Sequence, residues 1–137
     1  MIVQENVSLA PFTTFRVGGD ARYFVSASTE EELIQAIKLA QERKIEVFVL
    51  GGGSNLIVSD NGFDGLVVKM DVKQYRAEKT DIFTQAAVPF AQIVNLAAEK
   101  SLAGLEWAGG IPGTVGGAVR GNAGAFVSPP KAPAFPL

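Results

Sequence analysis

The sequence contains no cysteine and no histidine. Without cysteine there are no disulfides, no thiolate metal sites and no cysteine nucleophile. Without histidine the commonest general base and metal ligand is missing, and a Ser-His-Asp triad cannot be assembled. Charge is sparse and nearly balanced, 12 Lys+Arg against 14 Asp+Glu for a formal net charge of −2. That balance leaves no electrostatic footprint for nucleic acid. No apolar run reaches the ~18 residues of a membrane span without a Gly, Pro or charge breaking it. Met1–Pro11 carries Glu5 and lacks the basic and apolar regions of a signal peptide. We therefore expect a cytoplasmic protein with no metal site, no nucleic-acid or membrane partner and no obligate protein partner. The hydrophobic fraction of 47% is too high for a disordered chain, and 137 residues suit one domain.

What is abundant is glycine, 15 residues that cluster at 51–53, 62–65 and 104–124, with Gly18 and Gly19 apart. Charge thins toward the C-terminus, where residues 101–137 hold only Glu106, Arg120 and Lys131. Ala21–Ala27 has the aromatic and β-branched character of a strand. Thr29 followed by Glu32 forms a capping box, and Leu33, Ala36, Ile37 and Ala40 predict a helix with one apolar face. Ile45–Leu50 reads as a buried strand, residues 60–65 as a turn cluster and Leu66–Met70 as a further strand. The first half is thus β-α-β-(Gly loop)-β. In the second half Ile82–Ala87 predicts a strand. Pro89 then stands as the first residue of a helix that turns Phe90, Ile93, Val94 and Ala97 to one side. Residues 109–119 are too glycine-rich for an ordinary helix interior and predict a shaped loop, with room for a short helical turn.

Gly51-Gly52-Gly53-Ser54-Asn55 supports two readings. Adjacent glycines let backbone N–H groups converge on an anion, with Ser54 and Asn55 adding side-chain donors; the same residues also make a tight turn. A Rossmann fingerprint is excluded because the loop follows the second strand and opens no helix, and a P-loop is excluded because Gly-Lys-Ser/Thr is missing. The second loop lies about 60 residues on. There Thr114 is a candidate donor to a phosphate or a flavin edge, and Asn122 caps either the neighbouring backbone or a cofactor edge. The pair of loops fits the two ends of one extended ligand, or close packing of loop on sheet. Arg16 is in reach of a phosphate or simply solvated, Trp107 has the character of a core aromatic, and Glu106 is expected to be exposed or ion-paired.

Three stretches carry a resemblance. Thr13-Thr14-Phe15-Arg16-Val17-Gly18-Gly19, Leu50-Gly51-Gly52-Gly53-Ser54-Asn55-Leu56 and the run from Gly110 to Ala125 resemble the UDP-N-acetylenolpyruvoylglucosamine reductases, also called UDP-N-acetylmuramate dehydrogenases. Order and spacing agree from Val7 to Phe126. The resemblance implies an α+β fold, a two-lobed FAD-binding domain of the vanillyl-alcohol-oxidase (PCMH) type. Its lobes would be residues 1–70 and 71–126, with FAD held between them. It implies that Gly51, Gly52, Gly53, Ser54, Asn55 and Leu56 wrap the FAD pyrophosphate. Ile111, Pro112, Gly113, Thr114, Gly116, Gly117 and Ala118 would line the cofactor further along, with Asn122 and Gly124 close by.

The implied reaction is the NADPH-dependent reduction of UDP-N-acetylenolpyruvoylglucosamine to UDP-N-acetylmuramate for peptidoglycan, with flavin relaying the hydride. The serine, arginine and glutamate of that chemistry lie beyond the Asn-Ala-Gly-Ala motif, so no catalytic residue is assigned here and this chain alone is expected not to turn over. The other reading is a stand-alone, non-catalytic nucleotide- or flavin-binding module. A flavin oxidase with covalent attachment ranks below both, because its His or Cys is missing. Two departures stand out. Gln85-Ala86-Ala87-Val88-Pro89 replaces a Gly-Ala-Gly run, which strains Ala87 if a positive φ is needed there. Residues 127–137 carry Pro129, Pro130, Pro133 and Pro136, and no central strand tolerates that density. A frameshift or truncation in the second lobe is the expectation for this tail, with an open edge left at Ile82–Ala87.

Overall fold

A computed structural model describes residues 1–124. The proline-rich tail at 127–137 lies outside the described residues, as do Ala125 and Phe126. The chain divides into two compact units, Met1–Val72 and a second from Lys73 onward.

The first unit is built on a four-stranded sheet of β1 (Gln4–Ser8), β2 (Asp20–Ala27), β3 (Val47–Leu50) and β4 (Phe63–Met70). Its order is β1-β2-β4-β3. β1 runs antiparallel to β2, whereas β2 and β3 both pair parallel with β4. The chain crosses from β2 to β3 through helix α1 (Glu30–Arg43), which begins where the capping box predicts. Thr29 Oγ1 accepts from the Glu32 N–H at 3.2 Å, and Glu32 Oε2 accepts from the Ser28 N–H at 2.8 Å. The helix closes on Lys44 in the left-handed region. Ala36 and Ala40 are fully buried, and their small side chains let α1 lie close on β2 and β4. On the sheet's other side Leu9, Ala21, Phe24, Leu50 and Val67 form a core closed by Phe12, Leu56, Val58 and Phe63.

Two strand expectations need correction, and one further strand was not expected. β1 is not legible from its polar composition and forms by pairing along β2. β3 is an edge strand, not a buried one: Phe48 is 38% and Val49 53% exposed, and only Leu50 is buried. An apolar run does not distinguish an edge from a centre; the centre is β4, where Leu66, Val67 and Val68 are at most 1% exposed. β4 also starts at Phe63, inside the expected turn cluster, because Phe63 pairs with Ala21.

In the second unit β5 (Tyr75–Glu78) and β6 (Asp81–Thr84) form an antiparallel hairpin, followed by α2 (Phe90–Glu99) and α3 (Val115–Arg120). β6 is shorter than the expected 82–87 because the chain turns at Gln85, with the Val88 N–H returning to the Gln85 carbonyl at 3.3 Å. The Gln85 side chain also accepts from the Gln74 N–H at 2.7 Å. β5 was not predicted, its charged composition being that of an exposed hairpin arm. No third strand joins this hairpin among the described residues. Pro89 is the N-cap of α2, one residue before its expected place. Phe90, Ile93 and Ala97 are buried as the spacing requires. Val88, Phe90, Ile93 and Ala108 make the core, packed against Trp107, Ile111, Val115 and Ala118. The glycine-rich stretch after Thr114 is helix α3 and not only a loop. Ala87 is buried and lies outside the left-handed region, so the feared strain is absent.

Candidate functional site

In open sheets with parallel strands, ligands bind beyond the carboxyl ends of the strands. The loop at 51–62 leaves β3 at that end and returns to the start of β4 without a helix. A parallel connection of this kind is usually helical, so the extended path is a specific feature of this fold. Gly53 makes it possible. Its φ is +66°, and a Cβ there would stand 1.9 Å from the Phe12 carbonyl oxygen. The loop therefore lies directly against the 10–16 segment, and the Thr14 N–H donates to the Gly53 carbonyl at 3.1 Å. Of the triple glycine, Gly53 makes the tight backbone contact of a turn, while Gly52 stays exposed.

Gly52 lines a pocket of about 440 Å³ together with Pro11, Phe12, Thr13, Thr14, Arg16 and Lys69. Among the described residues that line it are two cations and no acid. Arg16 adopts φ +53°, a conformation that costs a non-glycine residue about 1–2 kcal/mol. Thr13 is buried, its hydroxyl donating to the Ala10 carbonyl at 3.3 Å, which anchors the turn that presents Arg16. Lys69 comes from β4, where it pairs in register with Leu50, and its Nζ donates to the Gly51 carbonyl. A guanidinium and an ammonium beside exposed glycine backbone make a set of groups suited to a diphosphate. Neither Ser54 nor Asn55 hydrogen-bonds another described residue through its side chain, and Leu56 packs inward against the core.

In the second unit the 109–117 stretch is fastened to residues 86–90. The Phe90 N–H donates to the Gly113 carbonyl, Val115 N–H to Val88 and Gly116 N–H to Ala86, each at 2.9 Å. Gly116 is required there, since a Cβ would lie 2.8 Å from that of Ala86. Gly113 has φ +99° and turns the chain into the helix. Thr114 is buried and is the N-cap of α3, its hydroxyl accepting from the Gly117 N–H at 3.3 Å, which leaves the O–H proton available to donate. Asn122 takes the backbone option. At φ +44° it closes α3 in a Schellman arrangement, with Ala123 N–H to Ala118 at 2.9 Å and Asn122 N–H to Val119 at 3.2 Å. Ile111 and Ala118 pack on the core. Pro112, Gly117 and Gly124 are exposed. Trp107 is a core aromatic, edge-on to Phe90 at 6.4 Å with Nε1 donating to Gly104, and Glu106 is exposed.

Sequence reasoning passed over Lys69. Its signal is one cation in the otherwise apolar run Leu66–Met70, on the face opposite Leu66 and Val68. Arg16 was noted but not ranked, because only the fold shows that it borders the pocket.

The fold and this loop define a class: an α+β domain with a loop of extended backbone, not a helix N-terminus, at the carboxyl end of the parallel strands of a mixed sheet. A family model described as FAD binding domain matches residues 21–134, and the chain belongs to that family. Two relatives named UDP-N-acetylenolpyruvoylglucosamine reductase bear out the motif resemblance. The one from Caldicellulosiruptor saccharolyticus is 46% identical over 88% of this chain and 39% of its own. The one from Synechococcus sp. (strain WH7803) is 41% identical over 90% of this chain and 41% of its own. The crystal structure of UDP-N-acetylenolpyruvylglucosamine reductase from Thermus caldophilus superposes with a TM-score of 0.76 at 34% identity. It covers 93% of this chain and 45% of that one. The chain thus spans about two-fifths of the length of the curated relatives it matches. Among the described residues no helix is long and apolar enough to cross a membrane.

Proposed function

We propose that this chain binds FAD and serves the NADPH-dependent reduction of UDP-N-acetylenolpyruvoylglucosamine to UDP-N-acetylmuramate in peptidoglycan synthesis, a cytoplasmic reaction. The observation that carries the reading is the pocket where Gly52, Arg16 and Lys69 meet beside the Gly51–Leu56 loop. Bound flavin supplies the two-electron relay between NADPH and the enolpyruvyl group. The residues here bind and orient. Gly52 offers its backbone N–H to the pyrophosphate, Ser54 and Asn55 add side-chain donors, and Arg16 and Lys69 balance the charge. In the second unit residues 111–118 present backbone to the cofactor, with Thr114 acting through the shape of the turn it caps, and Asn122 and Gly124 stand at its end. Groups that protonate the substrate are assigned to the longer relatives and not to these residues.

FAD titration of the purified chain, followed by flavin fluorescence, tests this. Saturable binding is expected, weakened about tenfold or more by Arg16→Ala, the scale of one charge-assisted hydrogen bond. An absence of saturable binding by the folded wild-type chain sinks the reading.

A further inference from the structure

Lys69 does something the family resemblance does not assign to it. Its Nζ hydrogen-bonds the Gly51 carbonyl at 2.5 Å, across 18 positions of sequence. Every peptide bond in the described chain is trans, and in a trans peptide the carbonyl of one residue and the N–H of the next point in opposite directions. Holding the Gly51 carbonyl therefore aims the Gly52 N–H. This matters because the Gly51–Gly52 peptide has no Cβ on either side. Reversing it turns ψ of Gly51 and φ of Gly52 by about half a turn, which glycines accept at little cost and other residues do not. Both orientations are open to the bare loop. On the side of the peptide away from Lys69, one offers a ligand an N–H and the other a carbonyl oxygen, which an anion would meet as a repulsion.

We propose that Lys69 is a positioning residue: by binding the Gly51 carbonyl it locks the Gly51–Gly52 peptide so that the Gly52 N–H faces a diphosphate. The proposal rests on the FAD reading for the identity of the ligand, but the locking exists without ligand. β4 provides the lever. Lys69 sits on a central strand between β2 and β3, directly opposite Leu50, so its stem is held by the sheet while its head reaches the loop that leaves Leu50. A lysine acting only as a counter-charge would not need to hold that carbonyl.

The test compares wild type, Lys69→Met and Lys69→Arg in the ¹⁵N-labelled chain without FAD, reading the Gly52 amide resonance, and then measures FAD affinity. Methionine keeps most of the stem and removes the donor; arginine restores a donor. We expect Lys69→Met to move the Gly52 resonance and to weaken FAD binding about tenfold or more, and Lys69→Arg to recover most of both. Should the methionine variant fail to fold, Lys69→Leu, which also lacks a donor, carries the same comparison. A Gly52 resonance unmoved in Lys69→Met overturns the proposal whatever the affinity does, because a lost counter-charge alone leaves the peptide in place. A moved resonance with unchanged FAD affinity overturns it as well. If the wild type binds no FAD, the functional reading falls, while the ligand-free resonance still decides whether Lys69 orients the peptide.

Discussion

At the scale of single residues, glycines that look alike in sequence do different work. Gly53 and Gly110 both have positive φ, +66° and +86°, yet a Cβ on Gly53 meets the Phe12 carbonyl whereas one on Gly110 meets nothing within 4 Å. Gly110→Ala should cost only the backbone strain, about 1–2 kcal/mol. Gly53→Ala adds a collision with backbone that cannot rotate away, so its cost should exceed that of Gly110→Ala and reach about 3 kcal/mol or more. Urea unfolding of both variants checks the order, and equal costs would show that the 10–16 segment yields. The triple glycine was readable as a special loop, but not which of its three residues is crowded and which lines a pocket. That division depends on Phe12, some forty residues earlier in the chain. Thr114 shows the same limit: a hydroxyl beside glycines read as a ligand donor, and the capping hydrogen bond it also accepts from Gly117 was not read from the sequence.

At the scale of elements, α1 was the most legible, because its signals are local. Cap, dipole charges and apolar spacing all lie between Thr29 and Arg43. Thr29→Ala should cost about 1 kcal/mol by removing the acceptor for the Glu32 N–H. The Glu32 carboxyl is held below its ordinary value of 4.5, first by the hydrogen bond it accepts from the Ser28 N–H. A depressed carboxylate stabilises the fold above its unfolded pKa and loses that contribution as pH falls through the folded value. The stability gap between wild type and Glu32→Ala should therefore be widest near neutrality and narrow on acidification. Thermal melts across pH will show it, and a gap that widens in acid would contradict the assignment. α3 was half legible. Its glycines argued against a helix, yet Gly116 is glycine because Ala86 leaves no room for a Cβ. Gly116→Ala should thus destabilise the second unit, measured by unfolding, although alanine is the better helix former in isolation.

At the scale of the whole molecule, net charge and local field oppose one another. The chain carries −2 overall, while the pocket at Gly52 is bordered by Arg16 and Lys69. Attraction of an anionic cofactor must come from the near charges and be screened accordingly. Raising ionic strength from ~0.01 M to ~0.15 M shortens the Debye length from about 30 to about 8 Å. FAD affinity should fall over that range, and fall less steeply in Arg16→Ala; identical salt slopes would show that Arg16 does not face the ligand. The first unit's stability should rest on its central strand. Leu66 is fully buried, so Leu66→Ala should cost about 2–5 kcal/mol, seen as a lower urea midpoint.

The amino-acid sequence by itself determined the capped helix α1, the strand character of β2 and β4, the apolar face of α2 and the absence of histidine and cysteine chemistry. Each of these is written in neighbouring residues, where propensity, caps and periodicity act. Its motifs also pointed to the family, because long glycine runs with fixed spacing are specific. Only the tertiary structure decided that β4 inserts between β2 and β3, that β3 lies at an edge, and that β1 exists at all. It alone brought Arg16, Gly52 and Lys69 to one pocket. Strand order and such meetings depend on contacts between residues far apart in the chain, and no local pattern encodes which distant surface will lie beside which.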